Sequence, residues 1–205
     1  MEGAGDSAFF VVRAGRYTAD PMSVMISMLR GVNLGPHNRV KMDDLRAMYA
    51  TLKLQDPRTY VQSGNVLFRT KEKDEGKLSL RIQGAIEKKF GFRPDVILRT
   101  TEEMRETVAK NPFATRKNID PAKLLVTFLS AAPGAEASSK LAALDTAPEE
   151  LQVVGREIFI YYTNGLARPK FQWIKAEKIC KTACTGRNWN SVTKILEMAE
   201  EMEAE

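Results

Sequence analysis

The spacing of apolar positions changes several times along the chain, and each change marks an element. Val24-Met25-Ile26-Ser27-Met28-Leu29 is a short apolar run ending at a glycine-rich stretch, which predicts a buried strand. From Met42 the period lengthens: Met42, Leu45, Tyr49 and Leu52 form one helical stripe. Asp43 and Asp44 fall in its first turn, where they complement the helix dipole. Residues 58–69 then carry two β-prone arms around Ser63-Gly64, a hairpin signal. Leu78, Ile82, Ile86 and Phe90 predict a second helix closed by Gly91. Residues 94–99 read as a fourth strand. Thr100 and Glu103 make a capping box for a short helix that Asn111-Pro112-Phe113 stops.

This order, strand-helix-strand-strand-helix-strand, is that of the split βαβ, or ferredoxin-like, arrangement. A similar order begins again at Leu124. Residues 124–129 read as a strand, 135–145 as a helix, and 151–154 with 158–162 as a second hairpin around Gly155-Arg156. A helix near residues 170–181 follows, and Trp189, Val192, Leu196, Ala199 and Met202 mark a final one. The expected fold is therefore α+β: two ferredoxin-like lobes with antiparallel sheets and a C-terminal helix. The lobes are expected over 22–113 and 120–205, joined near 111–121. Their sequences share no obvious similarity, so the repeat is one of pattern. Residues 1–21 are weakly patterned and interrupted by Gly3, Gly5 and Gly15, which reads as a disordered extension.

In a split βαβ unit the first two strands run parallel with the third between them. The loop after the first strand and the turn after the second then emerge at the same end of the sheet. Two polar segments, Arg30 to Lys41 and Gln62 to Asn65, should be spatial neighbours. The first holds two glycines, two asparagines, two arginines, a lysine and the sole histidine, His37. Glycine lets backbone approach a ligand closely. Arg30 and Arg39 offer forked donors to phosphate or carboxylate, and Lys41 adds a point charge. Asn33, Gln62, Ser63 and Asn65 would orient a ligand by hydrogen bonds, and Gly35 is a further ligand-binding candidate. Arg187 and Asn188, in Thr185-Gly186-Arg187-Asn188-Trp189-Asn190-Ser191, are outlying candidates. For that segment the structural alternative is Asn188 or Asn190 capping the final helix with Trp189 on the core. Arg168-Pro169-Lys170 reads as a solvated face.

Composition narrows the classes. Apolar residues make up 43% and charged residues 28%, as in ordinary globular chains, and the net charge is +5. That surplus suits an acidic partner without requiring one. No run approaches the roughly 18 apolar residues of a membrane span. Two cysteines, Cys180 and Cys184, point to a reducing cytoplasm. They would lie one turn apart if the preceding helix persists, but without further Cys or His they do not make a zinc site. No Walker or dinucleotide glycine motif is present. The expected first strand holds no aromatic residue and residues 65–69 only Phe68, which argues against a sheet-face RNA platform.

Four blocks also carry a family resemblance: Met28-Leu29-Arg30-Gly31-Val32-Asn33-Leu34-Gly35; Lys41-Met42 with Leu45; Tyr60-Val61-Gln62-Ser63-Gly64-Asn65-Val66; and Thr185 to Val192. In this order, over about residues 24–200, they resemble the bacterial family catalogued as domain of unknown function 1697. Cys184 and Gly186 stand where relatives more often carry small or hydroxyl residues. The resemblance implies an α+β fold with ferredoxin-like lobes and no assigned activity, and it places the family motifs on the loops singled out above.

The leading expectation is a cytoplasmic protein binding an anionic ligand: a nucleotide, another phosphorylated metabolite or a nucleic-acid backbone. The rival readings are an enzyme of phosphoryl or acyl transfer at the same site and a protein-interaction module. The catalytic residues, cofactor and oligomeric state are not legible at this level.

Overall fold

Chain direction and pairing organise the protein into two four-stranded antiparallel sheets. The computed structural model describes residues 22–166, 169–171 and 173–205; the extension expected over 1–21, and Arg168, lie outside the described residues. The first half runs β1 (Ser23–Leu29), α1 (Met42–Thr51), β2 (Gln55–Tyr60), β3 (Asn65–Thr70), α2 (Glu75–Phe90), β4 (Val96–Thr100) and α3 (Thr101–Ala109). The second runs β5 (Leu124–Leu129), α4 (Ala135–Ala142), β6 (Glu150–Val154), β7 (Glu157–Tyr161), α5 (Trp173–Cys180), β8 (Cys184–Asn188) and α6 (Trp189–Ala204). The sheet orders are β2-β3-β1-β4 and β6-β7-β5-β8, the order a split βαβ unit requires.

Local signals account for most boundaries. Asp74 caps α2 by accepting from the Lys77 N–H at 2.9 Å, and Gly91 ends that helix at φ 79°. The Thr100–Glu103 capping box is formed at the start of α3.

Strand alternation then builds the layers. On β1, Val24, Ile26 and Met28 face one core; Met25 and Leu29 face another, beneath α1 and α2. On β5, Leu124, Val126 and Phe128 join the first of these cores, while Leu129 turns to a third beneath α4 and α5. The central core is thus common to both sheets. It is completed by Met104 of α3 and by Val192, Ile195, Ala199 and Met202 of α6. The apolar stripe of the final helix is buried between the sheets rather than on one of them. With helices on both sides, the central strands β1, β3, β5 and β7 are buried on both faces rather than open for bases to stack on.

Two features depart from the expected pattern. Strand β8 occupies a segment read only as the lead into the last helix, because Cys-Thr-Gly-Arg-Asn has no apolar run to announce a strand. Its place is fixed by pairing with β5, Val126 opposite Arg187, and by the hydrogen bonds of a buried arginine. Helix α5 ends at Cys180, so Cys184 lies on a strand and the two free, buried thiols do not share a helical face.

The halves also repeat in detail. Leu29 N–H donates to the Gly64 carbonyl at 3.0 Å, and Leu129 N–H donates to the Arg156 carbonyl at 2.9 Å. Arg30 N–H reaches Asp95 O at 2.9 Å; Ser130 N–H reaches Ala183 O at 2.9 Å. Arg99 and Arg187 are each the penultimate residue of their strand, followed by the helix N-cap. Arg99 is buried and crosses into the second half. It donates to Leu129 O at 2.8 Å, Arg156 O at 3.3 Å and the Glu157 carboxylate at 3.0 Å.

Candidate functional site

The loop from Arg30 to Lys41 is pinned from within. Val32 and Val40 are buried in the core under α1, and Asn33, at φ 56°, stitches the segment between them. The Asn33 amide donates to Val40 O at 3.0 Å and Gln62 O at 2.8 Å, and its oxygen accepts from Val40 N–H at 2.8 Å. The loop and the Gln62–Asn65 turn are therefore adjacent, as the strand directions require. Gly64 holds the turn close: it sits at φ 74°, and a Cβ there would stand 2.9 Å from Leu29 Cβ. Val61 takes φ 49° in the same turn, a conformation that strains a β-branched residue, while its side chain is exposed.

The candidate residues divide between two cavities. The larger, about 810 Å³, is lined by Asn33, Gly35, Arg39, Lys41 and Gln62 together with Asp43 and Asp44. Arg39 and Lys41 are exposed and make no ion pair among the described residues. Asp43 is drawn onto Arg46 in an ion pair one turn along α1. Lys41, the N-cap of α1, supplies no side-chain cap, so the first-turn N–H groups have no side-chain partner from that residue. His37, at the exposed tip of the loop, forms no hydrogen bond among the described residues.

The smaller cavity, about 280 Å³, lies where the halves meet. Its walls include Arg30, Gly31, Leu34, Ser63, Trp173, Thr185 and Arg187. Arg30 bridges the halves by ion pairs to Asp95 at 3.5 Å and to Glu177 of α5 at 2.5 Å. Arg187 is the buried counterpart of Arg99. Its five N–H groups reach Asn65 Oδ1 (2.5 Å), Thr185 Oγ1 (2.8 Å), Gly186 O (2.8 Å), Leu29 O (2.9 Å) and Ser63 O (3.0 Å). Every acceptor is neutral. Burial without a carboxylate pushes the guanidinium down to about 10. Burial also pushes the Cys184 thiol up to about 11, aided by the Glu177 charge.

Several candidates are therefore occupied inside the protein, Asn33 and Arg30 already among them. Asn65 is fully buried; it accepts from Arg187 and donates to Ser63 Oγ at 2.8 Å and Tyr60 O at 3.3 Å. Asn188 caps α6 through Ser191 N–H at 2.9 Å. Arg187 ties β8 to both motif segments of the first half. Sequence reasoning overlooked Arg99, Trp173 and Glu177. For Arg99 a signal existed: Arg99-Thr100 and Arg187-Asn188 both place arginine directly before a helix cap.

Among the described residues no three His, Cys, Asp or Glu side chains gather as a metal site. No described helix is long and apolar enough to cross a membrane. Residues 22–159 match the model of a family described as protein of unknown function (DUF1697). Comparison with curated proteins returns no match. Among solved structures, the fold is similar to that of the conserved bacterial protein SP0830 from Streptococcus pneumoniae. The TM-score is 0.63 at 22% identity, covering 87% of this chain and 99% of that one.

Proposed function

The chain belongs to the DUF1697 family, and on that premise we propose that it binds an anionic ligand in the larger cavity, in the cytoplasm. A nucleotide, another phosphorylated metabolite or a nucleic-acid backbone fits this chemistry. Arg39 and Lys41 supply charge, Gln62 and the Gly35 backbone orient the ligand, and Asn33 holds loop and turn together. The two free cysteines suit a reducing compartment.

One observation carries the reading. The two halves close the same strand-to-helix crossover with loops of different length: residues 30–41, twelve of them, after β1, but residues 130–134, only five, after β5. The connection itself does not need the longer loop. Extra loop length on a rigid scaffold is where binding groups accumulate. That loop also presents two cations with no ion-pair partner among the described residues to a concave space.

Thermal shifts measured across nucleotides and phosphosugars test it. At least one anion should stabilise the wild type, and Arg39→Ala with Lys41→Ala should abolish the shift. If no anion stabilises the wild type, the reading fails. A nucleic-acid ligand should lose affinity steeply with salt; a flat response would exclude it.

A further inference from the structure

The smaller cavity has a different character from the larger one. Leu29, Val32, Leu34 and the Trp173 ring make most of its wall apolar; its polar end is where Ser63 and Thr185 meet Arg187, and Arg30, paired with Glu177, lines it as well, the usual make-up of a small-molecule site. At that end lies Arg187, a buried cation whose five partners are all neutral. A buried charge without a counter-charge is costly, so an anion placed beside it is favoured. The matching cation of the other half, Arg99, already has its carboxylate in Glu157.

Donors are also available there. Ser63 Oγ accepts from Asn65 at 2.8 Å, which leaves its own O–H to give. Thr185 Oγ accepts from Arg187 at 2.8 Å, and its O–H reaches Leu29 O only at 3.4 Å, a long contact that a better acceptor would outcompete. Gly31 lines the same space with nothing within 4 Å of where a Cβ would be, so the backbone leaves room. About 280 Å³ is roughly the volume of nine waters, enough for a compact organic acid.

We propose that this junction cavity binds a small carboxylate with an apolar or aromatic body, its carboxylate beside Ser63, Thr185 and Arg187 and its body against Trp173 and Leu34. A fully polar anion such as inorganic phosphate is disfavoured, because the apolar walls cannot replace its hydration. The site is separate from the Arg39–Lys41 cavity and does not depend on it.

Benzoate serves as probe and benzamide as its neutral counterpart. The chain has two tryptophans, so Trp189→Phe leaves Trp173 as the sole reporter. Benzoate should change its emission saturably and benzamide should not. Ser63→Ala, and independently Thr185→Val, should weaken binding about tenfold. Arg39→Ala with Lys41→Ala should leave it unchanged, which separates this proposal from the preceding one. Calorimetric titration of the unmodified chain with benzoate covers the case in which Trp189→Phe unfolds. Equal binding of benzamide, tighter binding of inorganic phosphate, or no saturation by benzoate in either format would overturn the proposal.

Discussion

Arg99 and Arg187 hold matching places in the two halves, and each reaches across to the other half's first strand and hairpin. Arg99 takes the Leu129 carbonyl, the Arg156 carbonyl and a carboxylate, Glu157. Arg187 takes the Leu29 carbonyl, the Ser63 carbonyl and an amide, Asn65. The geometry of the two clamps is nearly the same and the charge balance is not. Around Arg99 the acidic side is well supplied, since Glu103 and Glu75 also pair with Arg156 beside it. Around Arg187 no carboxylate among the described residues is bonded, and the junction cavity opens there. The difference shows how a repeated framework can fix its halves together twice while leaving one junction electrostatically incomplete. That junction is the one bounded by the long loop and by the strained turn.

The comparison breaks first at Arg99. Arg99→Met strands the largely buried Glu157 and should cost roughly 4 kcal/mol, lowering the melting temperature by on the order of 10 °C. Calorimetry reads it directly, and a loss under about 1 kcal/mol would remove Arg99 as a clamp. Arg187→Met strands neutral acceptors but also removes an uncompensated charge, so a smaller loss, roughly 2–3 kcal/mol, is expected in urea unfolding. A loss exceeding that of Arg99→Met would show that charge balance is not what separates the clamps.

Glu157→Gln sharpens the contrast by making the first clamp neutral like the second; roughly 1.5 kcal/mol should be lost in the same assay. Arg39→Ala with Lys41→Ala should change ligand-free stability by less than about 0.5 kcal/mol, since both side chains are exposed. A pH dependence tests the same junction separately. The Cys184 thiol is held neutral in the folded chain, with its titration raised from 9.0 to about 11. Its contribution is complete below pH 9 and declines as pH rises through about 11, because only the unfolded chain ionises in that window. The difference in melting temperature between wild type and Cys184→Ala, followed across that range, should shrink accordingly.

Periodicity and capping chemistry carried most of the architecture. The β1 run, the α1 stripe, both hairpins and the Thr100–Glu103 box are local signals, and the structure realises each of them. Strand β8 was illegible because it gives the core only one small apolar side chain, Cys184, and is held otherwise by hydrogen bonds of Arg187. The candidate residues were found but not their division. Asn33, Asn65 and Asn188 look like ligand groups from composition, yet each bonds a backbone or side chain that only folding brings near. Arg39, Lys41 and Gln62 face a cavity, because the loop around them is anchored by Val32 and Val40.

What the sequence determined alone was everything set by neighbours within a few residues: strand and helix periods, caps, turns, and through strand direction the adjacency of Arg30–Lys41 with Gln62–Asn65. Tertiary structure alone decided that α6 is shared by both sheets, that two arginines exchange partners across the junction, and that one of them meets only neutral acceptors among the described residues. Those outcomes depend on the desolvation and pairing of groups more than fifty residues apart, and such energies exist only once the two sheets close on a common core.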